Sequence, residues 1–154
     1  MTGRTDTAER RIHAPAGVIY AALTDPAARA QWIPPAGMTA EIERFDVRVG
    51  GRYRMVLTYA ETPDGGGKSS ADSDVVEGMF VELVDGERLA EEVEFESDDP
   101  AFAGTMTMTW RLTPTADGTE VAMAATNVPP GISPADHATG MQSSLDNLAA
   151  YVER

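Results

Sequence analysis

SPADHATGMQSSLDNLAAYV, residues 133–152, is the stretch that decides the expected fold. Ser133 can cap a helix that begins at Pro134, and Asp136 suits the positive end of the helix dipole. Apolar side chains then recur at helical spacing, and they are Ala138, Met141, Leu145, Leu148 and Val152. This stripe predicts an amphipathic helix over roughly 134–152, about 30 Å long, with one face turned to a core.

Upstream of this helix the apolar residues recur with period two, which is typical of half-buried strands. The clearest run is 105–112, where Met106, Met108, Trp110 and Leu112 share one face. Similar runs predict strands near 10–13, 38–47, 53–59, 75–84, 89–96 and 121–125. The Asp-Gly pairs at 85–86 and 117–118 predict hairpin turns, so the sheet should be antiparallel.

Two short helices are predicted between the first and second strands. Pro15 suits the first turn of one helix, and Asp25 with Pro26 suits the start of the next. The second helix should end after Trp32, where two prolines follow closely. The glycine-rich stretch 64–67 is expected to be a flexible loop.

These elements predict an α+β protein with one domain over residues 1–154. A curved antiparallel sheet of about six or seven strands would wrap around the long C-terminal helix. The apolar face of such a sheet needs a cover, and the long amphipathic helix is large enough to supply one. A space should remain between this helix, the sheet and the two short helices.

Composition and charge exclude several classes of protein. The 154 residues include no cysteine and two histidines, which leaves little material for a metal site or a thiol nucleophile. A P-loop and a serine-hydrolase elbow are also missing from the sequence. We therefore expect no cofactor and no metal. The net charge of −13 opposes binding to nucleic acid or to an anionic membrane. Without an apolar run long enough for a span or a signal peptide, a cytoplasmic location is the default.

The negative charge is concentrated in residues 72–99, which hold twelve acidic residues and one basic residue, Arg88. One interpretation is a solvated sheet face that keeps the protein soluble. The other is a docking surface for a basic protein partner. The first is favoured, because net charge bears mainly on solubility and association.

Several motifs resemble the SRPBCC or START-like superfamily. The opening VIYAALTDP (18–26) followed by Trp32 is similar to its helical start, and FDVRVGGRY (45–53) to its first hairpin. EGMFVEL (77–83), with Arg88 and Leu89 after it, is similar to the middle strands. HATGM (137–141) and SLDNL (144–148) resemble its last helix, where Met141 replaces the usual aromatic residue. The most similar family is the one named after the activator of heat-shock protein 90 ATPase.

This resemblance covers nearly the whole chain and implies the helix-grip fold of that superfamily. It implies less about function, because its members include ligand-binding proteins, cyclase-like enzymes and a co-chaperone domain. A cavity for a small hydrophobic or amphipathic molecule is expected between the helix and the sheet. The apolar residues predicted to line it are Trp32, Met38, Tyr53, Met55, Leu57, Val93, Phe95, Met108, Trp110, Met141 and Leu148.

Polar groups that could reach this cavity are Glu91, His137 and Ser144, together with Tyr53 and Tyr59. Glu91 shares its predicted face with apolar neighbours, so it is either a partly desolvated functional carboxylate or the partner of an arginine such as Arg52 or Arg54. His137 and Ser144 lie two helical turns apart on one flank of the long helix, so they project in the same direction.

The sequence leaves three functions open. The favoured one is a small-molecule binding protein. The second is an interaction module that activates a chaperone ATPase. The third is a cyclase-like enzyme in which Glu91 or His137 assists proton transfer, although an enzyme is the less favoured reading. The oligomeric state, monomer or homodimer, is left open.

Overall fold

The computed structural model describes residues 4–34, 37–60 and 73–153, and this part of the chain forms seven strands and three helices. The strands are β1 (Arg4–Ile12), β2 (Met38–Phe45), β3 (Arg52–Tyr59), β4 (Ser73–Val84), β5 (Arg88–Phe95), β6 (Met106–Thr115) and β7 (Gly118–Val128). The helices are α1 (Ala16–Thr24), α2 (Pro26–Trp32) and α3 (Pro134–Glu153), and a short 3-10 turn covers Pro100–Phe102. The loop predicted at 64–67 lies outside the described residues.

All seven strands form one sheet in the order β1-β7-β6-β5-β4-β3-β2. Each neighbouring pair is antiparallel. Strands β2 to β7 pair in sequence order, whereas β1 pairs with β7, so that Arg10 lies opposite Val121. The sheet curves around α3, and this confirms the predicted α+β helix-grip architecture.

Helix α3 supplies the cover that the apolar face of the sheet needs. Met141, Leu145, Leu148 and Ala149 are buried on its inner side, and both leucines are fully excluded from solvent. Burying each leucine contributes about 1.5–3 kcal/mol to stability. The predicted cap at Ser133 is present, since its Oγ accepts from the Asp136 backbone N–H at 3.1 Å. In the described ranges, neither α3 nor another helix is long and apolar enough to span a membrane.

Helix α2 is fixed at both of its ends. Asp25 accepts from the Ala27 backbone N–H at 3.0 Å, and Pro26 occupies the first turn, as predicted. At the other end, the Trp32 indole packs edge-on against Trp110 with 5.5 Å between the ring centres. Trp32 also donates from Nε1 to the Ala22 carbonyl at 2.9 Å. The ring contact holds α2 against the sheet, and the hydrogen bond ties it to α1.

Strand β2 ends earlier than its alternation predicts. The pattern continues to Val47, but the strand stops at Phe45. Arg44 adopts a φ of +47°, and the register with β3 shifts between Glu43 and Phe45. This left-handed residue turns the chain out of the sheet, because a single αL residue interrupts the pleat.

Candidate functional site

A cavity of about 180 Å³ lies between the inner face of the sheet and α3. Its wall is formed by Arg29, Ile33, Tyr53, Met55, Leu57, Val76, Glu91, Val93, Phe95, Met106, Met108, Trp110, Met123, His137, Gly140, Met141 and Ser144. Five of these are methionines, whose unbranched side chains can adapt to different shapes. Leu57, Phe95, Met108 and His137 are half-buried, so the cavity reaches the surface on their side.

One end of this apolar space carries three buried polar side chains. Arg29 of α2 donates from Nη1 to Glu91 Oε1 at 2.9 Å and from Nη2 to Glu91 Oε2 at 2.5 Å. Its Nε donates to the Leu23 carbonyl at 2.9 Å. The Tyr53 hydroxyl donates to Glu91 Oε1 in a short hydrogen bond. Arg29, Glu91 and Tyr53, here called the polar floor, are 1%, 4% and 2% exposed.

The sheet register brings these groups together. Tyr53 of β3 lies opposite Gly78 of β4, which in turn lies opposite Val93 of β5. A Cβ atom at Gly78 would collide with the Tyr53 ring, so the glycine makes room for that ring to lie across β4. Glu91, two residues before Val93, projects from the same face of β5. Tyr53 therefore reaches across one strand to the Glu91 carboxylate.

Aromatic rings enclose the Arg29 guanidinium. Its central carbon lies 5.5, 5.4 and 5.9 Å from the ring centres of Phe45, Tyr53 and Phe80. Cation–π contacts of this kind favour the charged guanidinium, all the more when it is removed from water. Together with the bidentate carboxylate, they explain how an arginine can be almost completely buried.

The electrostatics of the polar floor follow from burial and from its internal pairing. Burial alone would lower the pKa of Arg29, but the negative charge of Glu91 and its hydrogen bonds outweigh this effect, and the pKa is raised. Burial, followed by the Glu91 charge, raises the pKa of Tyr53 well above its ordinary value. Tyr53 is therefore a neutral donor at physiological pH. The charges of Arg29 and Glu91 cancel, so the floor as a whole is neutral.

His137 lies in the cavity wall but takes part in a different network. Its Nδ1 is 2.7 Å from Asp6 Oδ2, and Arg4 donates from its Nη2 to the same oxygen at 3.0 Å. Burial would raise the pKa of Asp6, but hydrogen bonds from Arg4 and His137 lower it overall. Proton transfer between Glu91 and His137 would need contact between the two side chains. In the described part of the chain, Glu91 is hydrogen-bonded to Arg29 and Tyr53, whereas His137 is hydrogen-bonded to Asp6.

Eleven of the fourteen predicted site residues line the cavity, and the eleven are Tyr53, Met55, Leu57, Glu91, Val93, Phe95, Met108, Trp110, His137, Met141 and Ser144. Trp32 lies instead behind Trp110, Leu148 lies in the core between helix and sheet, and Met38 opens β2 opposite Tyr59. Tyr59 is also not part of the cavity wall, and its hydroxyl donates to Asp74 at 2.8 Å. Contact between these eleven residues and a ligand remains a prediction.

The arginine partner of Glu91 was assigned wrongly from the sequence. Arg54 pairs with Glu43, Glu77 and Glu96, and Arg52 is exposed. Strand alternation places residues 52 and 54 on the opposite face from Tyr53. The true partner, Arg29, is next to Ala28 and three residues before Trp32, which are both buried. The sequence carries only part of this signal, an arginine on the buried side of α2, because nothing in it pairs that helix with β5.

The fold is that of a helix-grip protein of the START-like class. Residues 13–153 match the model of the family described as Activator of Hsp90 ATPase homolog 1-like protein. The chain belongs to that family. No curated protein matches the chain.

Solved structures agree with this placement. Protein CV1439 from Chromobacterium violaceum is 33% identical, with 97% of each chain covered and a TM-score of 0.86. Protein MLL2253 from Mesorhizobium loti is 25% identical, with 98% of each chain covered and a TM-score of 0.73. An AHSA1-like protein from Aeromonas hydrophila is 21% identical, covers 97% of this chain and 92% of its own, and has a TM-score of 0.73. The last similarity concerns the fold alone.

Proposed function

We propose that this protein binds a small, neutral, largely apolar molecule in the cavity between α3 and the sheet. The observation that carries the proposal is an apolar wall that ends on a neutral polar floor. Such sites gain affinity from their apolar walls and orientation from a few placed polar groups. Here the walls are mainly methionine and aromatic side chains, and the polar floor is Arg29, Glu91 and Tyr53.

The volume sets the size of the ligand. An engineered cavity of about 150 Å³ in another protein holds benzene, and drug-sized ligands occupy pockets of about 300–1,000 Å³. At about 180 Å³, this cavity suits a single ring with one or two small substituents. Larger molecules would need the walls to move, which methionine side chains allow more readily than branched ones.

The charges set the polarity of the ligand. Burying an ionised group without a partner is costly, and Arg29 and Glu91 already neutralise each other. The net charge of −13 also repels anions from the whole molecule. A hydroxyl or carbonyl group on an otherwise apolar ring would suit the polar floor.

The test compares ring compounds of one size and different charge. Toluene should raise the melting temperature of the protein, whereas benzoate and benzylammonium at equal concentration should not. A ligand at 100 times its Kd stabilises the folded state by about 2.7 kcal/mol, which differential scanning calorimetry detects readily. Native mass spectrometry of protein purified from its own host should then show a retained small molecule.

Two results would count against the proposal. Binding of benzoate as tightly as toluene would contradict the neutral-ligand argument. If toluene causes no shift and no molecule is retained, the cavity is not a binding site for a compound of this kind. The alternative function, an interaction module acting on a chaperone ATPase, would then be the better reading.

A further inference from the structure

Gly140 occupies an unusual place in the cavity wall. It lies inside α3, between His137 and Ser144 along the same flank, and all three line the cavity. Residues three and four apart in a helix share a face, so a side chain at position 140 would follow the direction of these two neighbours. Glycine destabilises the interior of a helix relative to alanine. Its presence there needs a reason.

The two common reasons for a glycine do not apply to Gly140. Its φ is not positive, unlike that of Gly50 or Gly86. A Cβ atom built on Gly140 would meet no described atom within 4 Å, whereas one on Gly78 or Gly118 would collide with its surroundings. Backbone conformation and close packing therefore leave this glycine unexplained.

We infer that Gly140 is a specificity-determining residue. Because it has no side chain, α3 leaves room in the cavity for a substituted ring. The inference rests on the proposed function and deepens it. With about 180 Å³ available, even a methyl group at position 140 would take space from the ligand. Gly140 should therefore set the largest ring compound that the cavity accepts.

The chain contains a matched control, Gly17 in α1. It too lies in a helix without a positive φ, and a Cβ atom on it would meet no described atom within 4 Å. Unlike Gly140, it is exposed and is not part of the cavity wall. Gly17→Ala therefore reports the effect of replacing a helical glycine without an effect on the cavity.

The experiment measures the Kd of benzene, toluene and p-xylene for the parent, Gly140→Ala, Gly140→Leu and Gly17→Ala. For Gly140→Ala, the affinity for p-xylene relative to benzene should fall on the order of tenfold, the cost of one misfitted methyl group in an apolar pocket. Gly140→Leu should weaken toluene binding by at least about tenfold. Without ligand, Gly140→Ala should melt about 2–4 °C higher than the parent. Gly17→Ala should keep all three Kd values of the parent.

The outcomes separate this inference from the proposed function. If the parent binds the three rings and both Gly140 variants bind them equally well, Gly140 does not determine specificity and the proposed function stands. If the parent binds none of the rings, both ideas fall. Should Gly140→Leu fail to fold, the p-xylene to benzene ratio of Gly140→Ala still decides the question, because alanine favours the helix.

Discussion

Arg29 is the residue whose environment is most demanding. It is 1% exposed, its charge is balanced by Glu91, and three aromatic rings make cation–π contacts with its guanidinium. Removing one member of a buried ion pair leaves an uncompensated charge, whereas removing both can be nearly neutral. The stability contributed by either residue therefore depends on whether the other is present.

The first prediction is a double-mutant cycle on this pair. Arg29→Met and Glu91→Met should each lower the free energy of unfolding by about 3–5 kcal/mol. The double variant should lose clearly less than the sum of the two, because it leaves no unpaired charge. Urea unfolding of the four proteins measures the cycle.

The exposed pair of Arg10 and Asp146 provides the control. Their atoms are 2.6 Å apart, yet the side chains are 38% and 51% exposed. Arg10→Met should cost only about 0–1 kcal/mol, as is usual for surface pairs. The prediction is wrong if the stability losses of Arg29→Met and Glu91→Met add up in the double variant. It is also wrong if each loss is no larger than that of Arg10→Met.

The sequence predicted one half of this pair. Alternation along β5 placed Glu91 on the inner face with Val93, and it is there. Its partner was missed because Arg29 is 62 residues away in the chain, and local periodicity carries no information about which helix meets which strand. Tyr53 was predicted to face inward, but its hydrogen bond across Gly78 depends on the register of three strands. Faces can be predicted from the sequence, whereas pairings between distant elements cannot.

Helix α3 is tied to the end of α2 by two side chains. Ser144 Oγ donates to the Ile33 carbonyl at 3.1 Å, and Asn147 Nδ2 donates to the Pro34 carbonyl at 3.0 Å. These two carbonyls follow the last helical residue of α2, where backbone acceptors need partners from elsewhere. Ser144 was predicted as a ligand anchor, yet its hydroxyl proton is directed to the protein itself.

The second prediction concerns these two hydrogen bonds. Ser144→Ala and Asn147→Ala should each lower the free energy of unfolding by about 0.5–1.5 kcal/mol, because each leaves a part-buried carbonyl without its donor. Thr139→Ala on the same helix should lose little, since its exposed hydroxyl donates only to Ala135 within α3. Chemical denaturation measures all three. Equal stability of the Ser144, Asn147 and Thr139 variants would rule out a stabilising role for the two ties.

At this scale the ends of elements were harder to predict than their existence. The start of α3 and the cap of α2 were confirmed because each carries a local signal, Ser133 in one case and Asp25 with Pro26 in the other. Strand β2 ended early at Phe45, directly after Arg44, whose residue type gives no warning of a positive φ. Strand β1 begins at Arg4, earlier than predicted. The prediction missed its first residues because they are mostly polar, and only their pairing with β7 identifies them as a strand.

For the molecule as a whole, the third prediction is a loss of stability at high pH. Burial is the largest cause that raises the pKa of Tyr20, Tyr53 and Tyr59, and a neighbouring carboxylate raises each pKa further. In the unfolded chain these groups ionise near pH 10, so each contributes stability that is fully present below that pH. This stability is lost as the pH rises from there through the pKa of the folded state. For the fully buried Tyr53, the slope is about 1.4 kcal/mol per pH unit.

Urea unfolding between about pH 8 and pH 11 measures this loss. Tyr53→Phe should be less stable than the parent at neutral pH, because Glu91 loses a donor, but its stability should decline less steeply at high pH. Tyrosinate absorbance should show delayed ionisation in the folded parent and prompt ionisation in urea. A parent whose stability is constant up to pH 11, with tyrosines that ionise together in both states, would contradict the prediction.

The pairing of β1 with β7 has a consequence for the order in which the protein is made. β1 is synthesised first, but its only strand neighbour in the described sheet is β7, which ends at Val128. More than a hundred residues must therefore be translated after β1 before its backbone can pair with β7. Contacts between residues so distant in sequence also form slowly. An unpaired strand is a template for aggregation, but five of the nine residues of β1 are charged: Arg4, Asp6, Glu9, Arg10 and Arg11. Because charged side chains disfavour pairing at an open strand edge, the composition of β1 should limit its association with other nascent chains until β7 is made.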